Sequence, residues 1–213
     1  MAKRYAMLID LDKCLGCRAC ELACKQENNV KPRIGERCDF EKTGVPFWIK
    51  VYTVGPFGEY PNLTMHFYPS LCGHCDDPPC KDVCPNKAIN QRPDGIVLID
   101  KAKCNIQPCA RQCIAACPYP GILWYDFDER WVEKCTFCYH RVDEGQEPAC
   151  VYHCPGKALY FGDIADPDSK ISQRLEANKK YLLHIPTPPH LQAAPRLYYI
   201  LRKRQAGHVG VVD

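Results

Sequence analysis

Alternation of apolar and polar positions is short-ranged along this chain. FWIKVYTV and LTMHFYP each alternate well enough to be strands, and the intervening GPFGEYPN has the glycines and prolines of a turn. MLID at 7–10 and VLID at 97–100 read as short strands that each feed a cysteine-rich loop. A short helix is predicted at about 20–28, after which Pro32, Gly35, Gly44, Pro46 and Gly55 break any periodicity. Trp124 and Trp131 flank a turn around Asp126 to Arg130, which predicts another hairpin with the two indoles as packing residues. SKISQRLEANKKYLL predicts one helix, capped at Asp168 or Ser169. HIPTPPHLQAAPRLYYILRKRQ is proline-rich, then basic and aromatic. It predicts an irregular tail, suited to wrapping a partner or to solvent, with a basic end at Arg202 to Arg204 that could touch anionic lipid or an acidic protein face.

These elements leave little room for an aliphatic core. The chain has 213 residues, enough for one domain or two small ones, and 19 of them are proline. Its 17 cysteines change the picture, because sixteen fall into four blocks of four. The blocks are Cys14, Cys17, Cys20, Cys24; Cys72, Cys75, Cys80, Cys84; Cys104, Cys109, Cys113, Cys117; and Cys135, Cys138, Cys150, Cys154. The last three close on Cys-x3-Cys-Pro. Soft thiolates favour iron–sulfur clusters, zinc or Cu(I), so spacing must arbitrate. Three closely spaced cysteines can wrap three corners of one cubane, and a fourth on the next helical turn reaches a neighbouring one. Zinc sites instead join two Cys-x2-Cys pairs, and disulfide frameworks belong to small secreted domains. The sixteen thiolates therefore predict four [4Fe–4S] clusters, whose binding substitutes for core burial and leaves the metal-free chain poorly folded.

The blocks are related by duplication. MLIDLDKC ending at Cys14 matches VLIDKAKC ending at Cys104, and CPNKAI from Cys84 matches CPGKAL from Cys154. Block one thus corresponds to block three, and block two to block four. The expected fold class is α+β: a duplicated, nested bacterial dicluster ferredoxin-like fold with short hairpins and helices, plus the irregular tail. Residues 1–71 and 118–164 form an outer unit from blocks one and four, with an inserted hairpin at about 30–70. Residues 72–117 form an inner unit, and 165–213 a helix and extended tail for partner contact.

Sharing three ligands from one block with the last cysteine of its partner gives an explicit map. Cluster 1 takes Cys14, Cys17, Cys20 and Cys154; cluster 2 takes Cys24, Cys135, Cys138 and Cys150. Cluster 3 takes Cys72, Cys75, Cys80 and Cys117; cluster 4 takes Cys84, Cys104, Cys109 and Cys113. Cys38 is left over as a free structural thiol. His74, inside Cys72-Gly-His-Cys75, could donate to a cluster, face a partner, or be a surface loop histidine.

Together with KCLGCRACELACKQENN, CGHCDDPPCKDVCPNKAI and AACPYPG, this pattern resembles the four-cluster iron–sulfur subunits of complex iron–sulfur molybdoenzymes, the dimethyl sulfoxide reductase family, over residues 5 to 164. The family includes subunits serving polysulfide, thiosulfate, tetrathionate and arsenate reductases and formate dehydrogenases. The resemblance implies four clusters in a row. It implies a protein with no catalysis of its own, carrying electrons between a large molybdopterin- or tungstopterin-containing subunit and a membrane quinone subunit or soluble redox partner. Block three departs from the pattern, since Cys104-x4-Cys109-x3-Cys113 has three residues more than the usual loop. Rival readings are a free-standing polyferredoxin, a subunit of an aldehyde oxidoreductase or hydrogenase, and a zinc-stabilised interaction scaffold.

Charge adds one exclusion. The formal net charge is +3 with cysteines neutral. Four oxidised cubanes with their thiolates at about −2 each would bring it to about −5, which leaves no case for nucleic-acid binding. There is no triad, phosphate loop or dinucleotide fingerprint, and no apolar run of the roughly 18 residues a membrane span needs. MAKRYAMLID leads into the first strand with neither an apolar signal core nor a twin-arginine pair. The expected location is the extracytoplasmic (periplasmic) side of a membrane, by export with a signal-bearing partner, or the cytoplasm.

Overall fold

A computed structural model describes residues 3–30, 47–104, 109–126, 129–184 and 193–202. Its largest sheet is built on β1 (Tyr5–Asp10), which lies between β8 (Leu159–Asp163), antiparallel, and β10 (Leu197–Ile200), parallel; β9 (Leu182–His184) completes the order β8-β1-β10-β9. Both faces of β1 are covered, so Ala6 to Ile9 are wholly buried. Side chains alternate across a strand. Accordingly Met7 and Ile9 join the large core that contains the cysteines, while Ala6 and Leu8 pack with Ile171 of the helix Lys170–Ala177.

Three two-stranded ribbons complete the strands: β2 (Ile49–Phe57) with β3 (Thr64–Leu71), β4 (Ile89–Gln91) with β5 (Val97–Ile99), and β6 (Trp124–Asp126) with β7 (Trp131–Glu133). All three are antiparallel, and the first and third are the hairpins expected from alternation and turn residues. The helices are short: α1 (Ala19–Asn28), α2 (Pro79–Asp82), α3 (Gln112–Ala116), α4 (Tyr139–Asp143), α5 (Ala149–Tyr152) and α6 (Lys170–Ala177). Ser169 caps α6 by accepting from the Ser172 N–H at 3.2 Å. The helix ends at Ala177 rather than running through Leu183, because residues 182–184 pair with β10 instead.

The two sequence repeats make the same local bonds. Ile9 pairs with Leu159, and Ile99 with Ile89. The Asp10 N–H donates to the Ala158 carbonyl at 2.8 Å, and the Asp100 N–H to the Ala88 carbonyl at the same distance. Lys87 and Lys157, which follow the matching Cys-Pro turns, both adopt positive φ, 48° and 46°.

The C-terminal segment corrects the expectation of a wholly irregular tail. LYYI is an inner strand whose Leu197, Tyr199 and Ile200 are buried. Its lead-in, Arg196, is 1% exposed and reaches into the β4–β5 ribbon. The guanidinium donates to the carbonyls of His74 (2.8 Å), Asp94 (3.1 Å) and Gly95, with Asp76 3.3 Å from Nε. Gly95 sits at φ +83°, and a Cβ there would collide with the guanidinium. Tyr199 meanwhile donates through its hydroxyl to the Pro69 carbonyl at 2.8 Å, tying the β2–β3 hairpin to the sheet.

Replacing Arg196 by Met should therefore strip three inner carbonyls of their donor. The expected loss is about 3 kcal/mol, read as a fall of roughly 6–12 °C in the anaerobic unfolding midpoint. An unchanged midpoint would contradict the clamp.

Candidate functional site

Each block of cysteines is displayed by a loop that turns sharply into a short helix. Arg18, Arg111 and Cys138, which precede α1, α3 and α4, all have left-handed backbone, at φ 60°, 61° and 49°. Such a turn swings successive thiols to one side before the helix carries the next cysteine away. Pro79 begins α2 and Pro148 precedes α5, so both of those helices start at a proline that fixes the backbone angle.

Eleven of the sixteen block cysteines are buried, Cys14, Cys84, Cys104 and Cys117 are half-buried, and Cys17 is exposed. Burial pushes the Cys20 thiol up to about 12, helped by Glu21, Cys14 and Cys154. Cys14 is raised by burial, with Cys154 and Cys17 adding to the effect. Burial also takes Cys24 to about 12, with Cys138 reinforcing it, and holds Cys150 well up beside Cys24, Cys135 and Cys138. Cys75 is raised by burial and then by Cys72, Cys80 and Cys117. Cys104 is raised by burial and by Cys109 and Cys84, while Cys113 reaches about 12 beside Cys80, Cys104, Cys109 and Cys84.

Thiols from distant blocks thus lie near one another: Cys154 near Cys14 and Cys20, Cys138 near Cys24, Cys117 near Cys75, and Cys84 near Cys104. Cys24 also feels Cys20, Cys135 feels Cys72, and Cys113 feels Cys80. Cys38 and residues 105–108 of the enlarged block-three loop lie outside the described residues.

The donor set suits soft metal. A buried neutral thiol is inert, and coordination by a metal removes its proton outright. Several sulfurs already face amide donors of the kind that stabilise cluster thiolates. The Ala88 N–H donates to Cys84 Sγ at 3.3 Å, and Ala158, its counterpart in the repeat, to Cys154 Sγ at 3.3 Å. Phe137 N–H donates to Cys135 Sγ at 3.4 Å, and Asn28 Nδ2 to Cys138 Sγ at 3.5 Å. No group of three or more metal-ligating side chains among the described residues converges as around one ion. A cubane spreads its four thiolates over four irons and asks for wider quartets.

His74 is not a surface histidine. It is fully buried, its ring stacked on Phe137 with centroids 3.7 Å apart. Nδ1 accepts the Val97 N–H at 3.0 Å, and Nε2 makes no hydrogen bond of normal geometry among the described residues. Burial holds its pKa well below the usual value, with Lys134 and Arg196 adding to the effect. His74 (φ 44°) and Phe137 (φ 53°) occupy the same third position of a Cys-x-x-Cys loop in blocks two and four. Trp124 is a packing residue as expected, its indole donating to the Phe47 carbonyl at 3.0 Å. Asn28, Phe137, Lys134 and Arg196 were not singled out by sequence reasoning. Lys134 alone left a signal, since it lies two residues from buried Val132, on the same side of the strand's continuation.

Comparison with known proteins agrees with this chemistry. The family described as "4Fe-4S dicluster domain" matches residues 63–164, and "4Fe-4S binding domain" matches residues 5–26. The sequence is 39% identical to a putative iron-sulfur subunit of dimethyl sulfoxide reductase from Halobacterium salinarum, over 92% of this chain and 78% of that one. It is 38% identical to a subunit of tetrathionate reductase from Salmonella typhimurium (92% and 72% covered) and 36% identical to a component of polysulfide reductase from Wolinella succinogenes (96% and 97%). The protein belongs to the iron–sulfur, electron-transferring subunits of the dimethyl sulfoxide reductase family, and is a non-catalytic component of an oxidoreductase.

Proposed function

We propose that the chain holds four [4Fe–4S] clusters on the crossed quartets and passes electrons along them in a row. The order is Cys14/Cys17/Cys20/Cys154, then Cys24/Cys135/Cys138/Cys150, then Cys72/Cys75/Cys80/Cys117, then Cys84/Cys104/Cys109/Cys113. The observation that carries this reading is the approach of Cys154 to Cys14, Cys24 to Cys138, Cys117 to Cys75 and Cys84 to Cys104. Those are the four long-range pairings that a nested dicluster fold requires. The matched bonds at Asp10 and Asp100 support the duplication behind it.

The clusters supply one-electron redox chemistry; the protein makes and breaks no substrate bond. Its residues exclude water from the two middle quartets, where only Cys117 is not fully buried. At the ends, exposed Cys17 and half-buried Cys84 and Cys104 bring the terminal quartets close to solvent. Amide donors from Ala88, Phe137, Ala158 and Asn28 stabilise charge at sulfur and so tune each potential.

The relatives are named as subunits of reductases, which supports a catalytic partner at one end; we infer that this partner holds molybdopterin or tungstopterin, with a quinone-binding membrane subunit or a soluble carrier at the other end. No helix among the described residues is long and apolar enough to cross a membrane.

Metal and acid-labile sulfide analysis of anaerobically purified protein should give about sixteen of each per chain. Redox titration followed by electron paramagnetic resonance (EPR) should resolve four centres. About twelve iron, or zinc without sulfide, would sink the assignment. Acidification gives a second test. The cluster-bound sulfurs carry no proton, whereas the free thiols hold one until pH approaches 12 at Cys20 and Cys24. Below about 12 each fall in pH therefore favours the free thiols, and cluster absorbance should be lost progressively as pH is lowered through the neutral and acid range. Retention unchanged across that range would contradict proton-coupled binding.

A further inference from the structure

Lys134 is buried to 3% exposure. Its Nζ donates to the Cys135 carbonyl at 2.9 Å and to the Val97 carbonyl. Two other buried charges have a partner of opposite sign. Asp10 receives a two-pronged bond from Arg202, at 3.0 and 2.9 Å, and Arg196 has Asp76. Among the described residues no carboxylate lies within ion-pair distance of Lys134. Two carbonyls solvate an ammonium but do not neutralise it, and an uncompensated buried charge is strongly disfavoured. Val97, whose carbonyl it bonds, lines one cavity with Cys72, Cys75, Cys80 and Cys117, and the Lys134 charge opposes the burial-driven rise in proton affinity at Cys80 and Cys117. Both belong to the third quartet.

We propose that Lys134 is the fixed counter-charge of the cluster at Cys72, Cys75, Cys80 and Cys117, and that it raises the reduction potential of this centre relative to its neighbours. This rests on the quartet assignment above. Adding one electron makes a site that already carries about −2 more negative, so a nearby positive charge stabilises the reduced form more than the oxidised one. The electron comes from the adjacent centre in the row and leaves by the other, with no bond formed and no proton moved. Lys134 touches no sulfur and acts through its field, as a positioning residue for charge.

The test is redox titration with EPR on the cluster-loaded protein, comparing Lys134→Met, Lys134→Gln and Lys134→Arg, with iron and sulfide counted first. Gln can still donate to the two carbonyls but carries no charge. In Met and Gln variants one centre of the four should show at least a tenfold lower reduced-to-oxidised ratio at fixed ambient potential, a shift of about 59 mV for one electron. The other three should move less, and Arg should restore the native value. Loss of that one cluster alone in both neutral variants, rescued by Arg, would support the same counter-charge. Unmoved potentials at full iron content, equal shifts in all four, or iron loss that Arg does not rescue would overturn the proposal. An iron count short of sixteen in the native protein would count against the quartets instead.

Discussion

Cysteine sulfur occupies much of the interior that aliphatic side chains fill in most proteins of this length, and the fold depends on what neutralises and spans those sulfurs. A buried thiol resists ionisation, as the rise of Cys20, Cys24, Cys113 and Cys117 to about 12 shows. A metal overcomes that resistance because the bond to sulfur replaces the proton. Binding the cofactor and closing the core are therefore one event. The short elements follow from the same constraint. A four-residue helix such as α2 or α5 has no independent stability, yet it suffices to aim one cysteine.

The protein frame that remains is held by a few long-range strands. β1 is central because both of its neighbours come from far along the chain: β8 closes the second repeat, and β10 returns after it. Arg196 then carries the clamp from the sheet into the β4–β5 ribbon, where it also fixes the His74 carbonyl. His74 stacks on Phe137; His74 lies between two cysteines of the proposed third quartet, and Phe137 between two of the proposed second. The sheet, the inner ribbon and the middle of the cysteine row are thus mechanically coupled. A change at the C-terminal strand would be felt where the two repeats meet.

Much of this was legible in the sequence because ligand spacing is a local property. The four blocks and their repeat are visible in the sequence itself, and the proposed crossed combinations follow from them and the geometry of a cubane. The hairpins around 49–71 and 124–133 could be read because they alternate and their turns are short. LYYI was not legible as an inner strand: its partners are residues 7–10 and 182–184, and the prolines before it resemble those of a linker. His74 looked like a loop histidine because nothing near it in sequence announces Phe137 as its cover. Lys134 was hidden for the opposite reason. A lysine beside a cysteine reads as surface charge unless one notices that Val132, two residues earlier, points inward.

The central claim is spatial: four clusters, one per crossed quartet, in the order given. Anomalous X-ray diffraction from anaerobically grown crystals, recorded at the iron edge, tests it most directly. Four separate iron peaks in a row are predicted, with the second between Cys24 and Cys150 and the third between Cys72 and Cys117. Three peaks, a peak bound by four cysteines of a single block, or a signal at the zinc edge instead would contradict it.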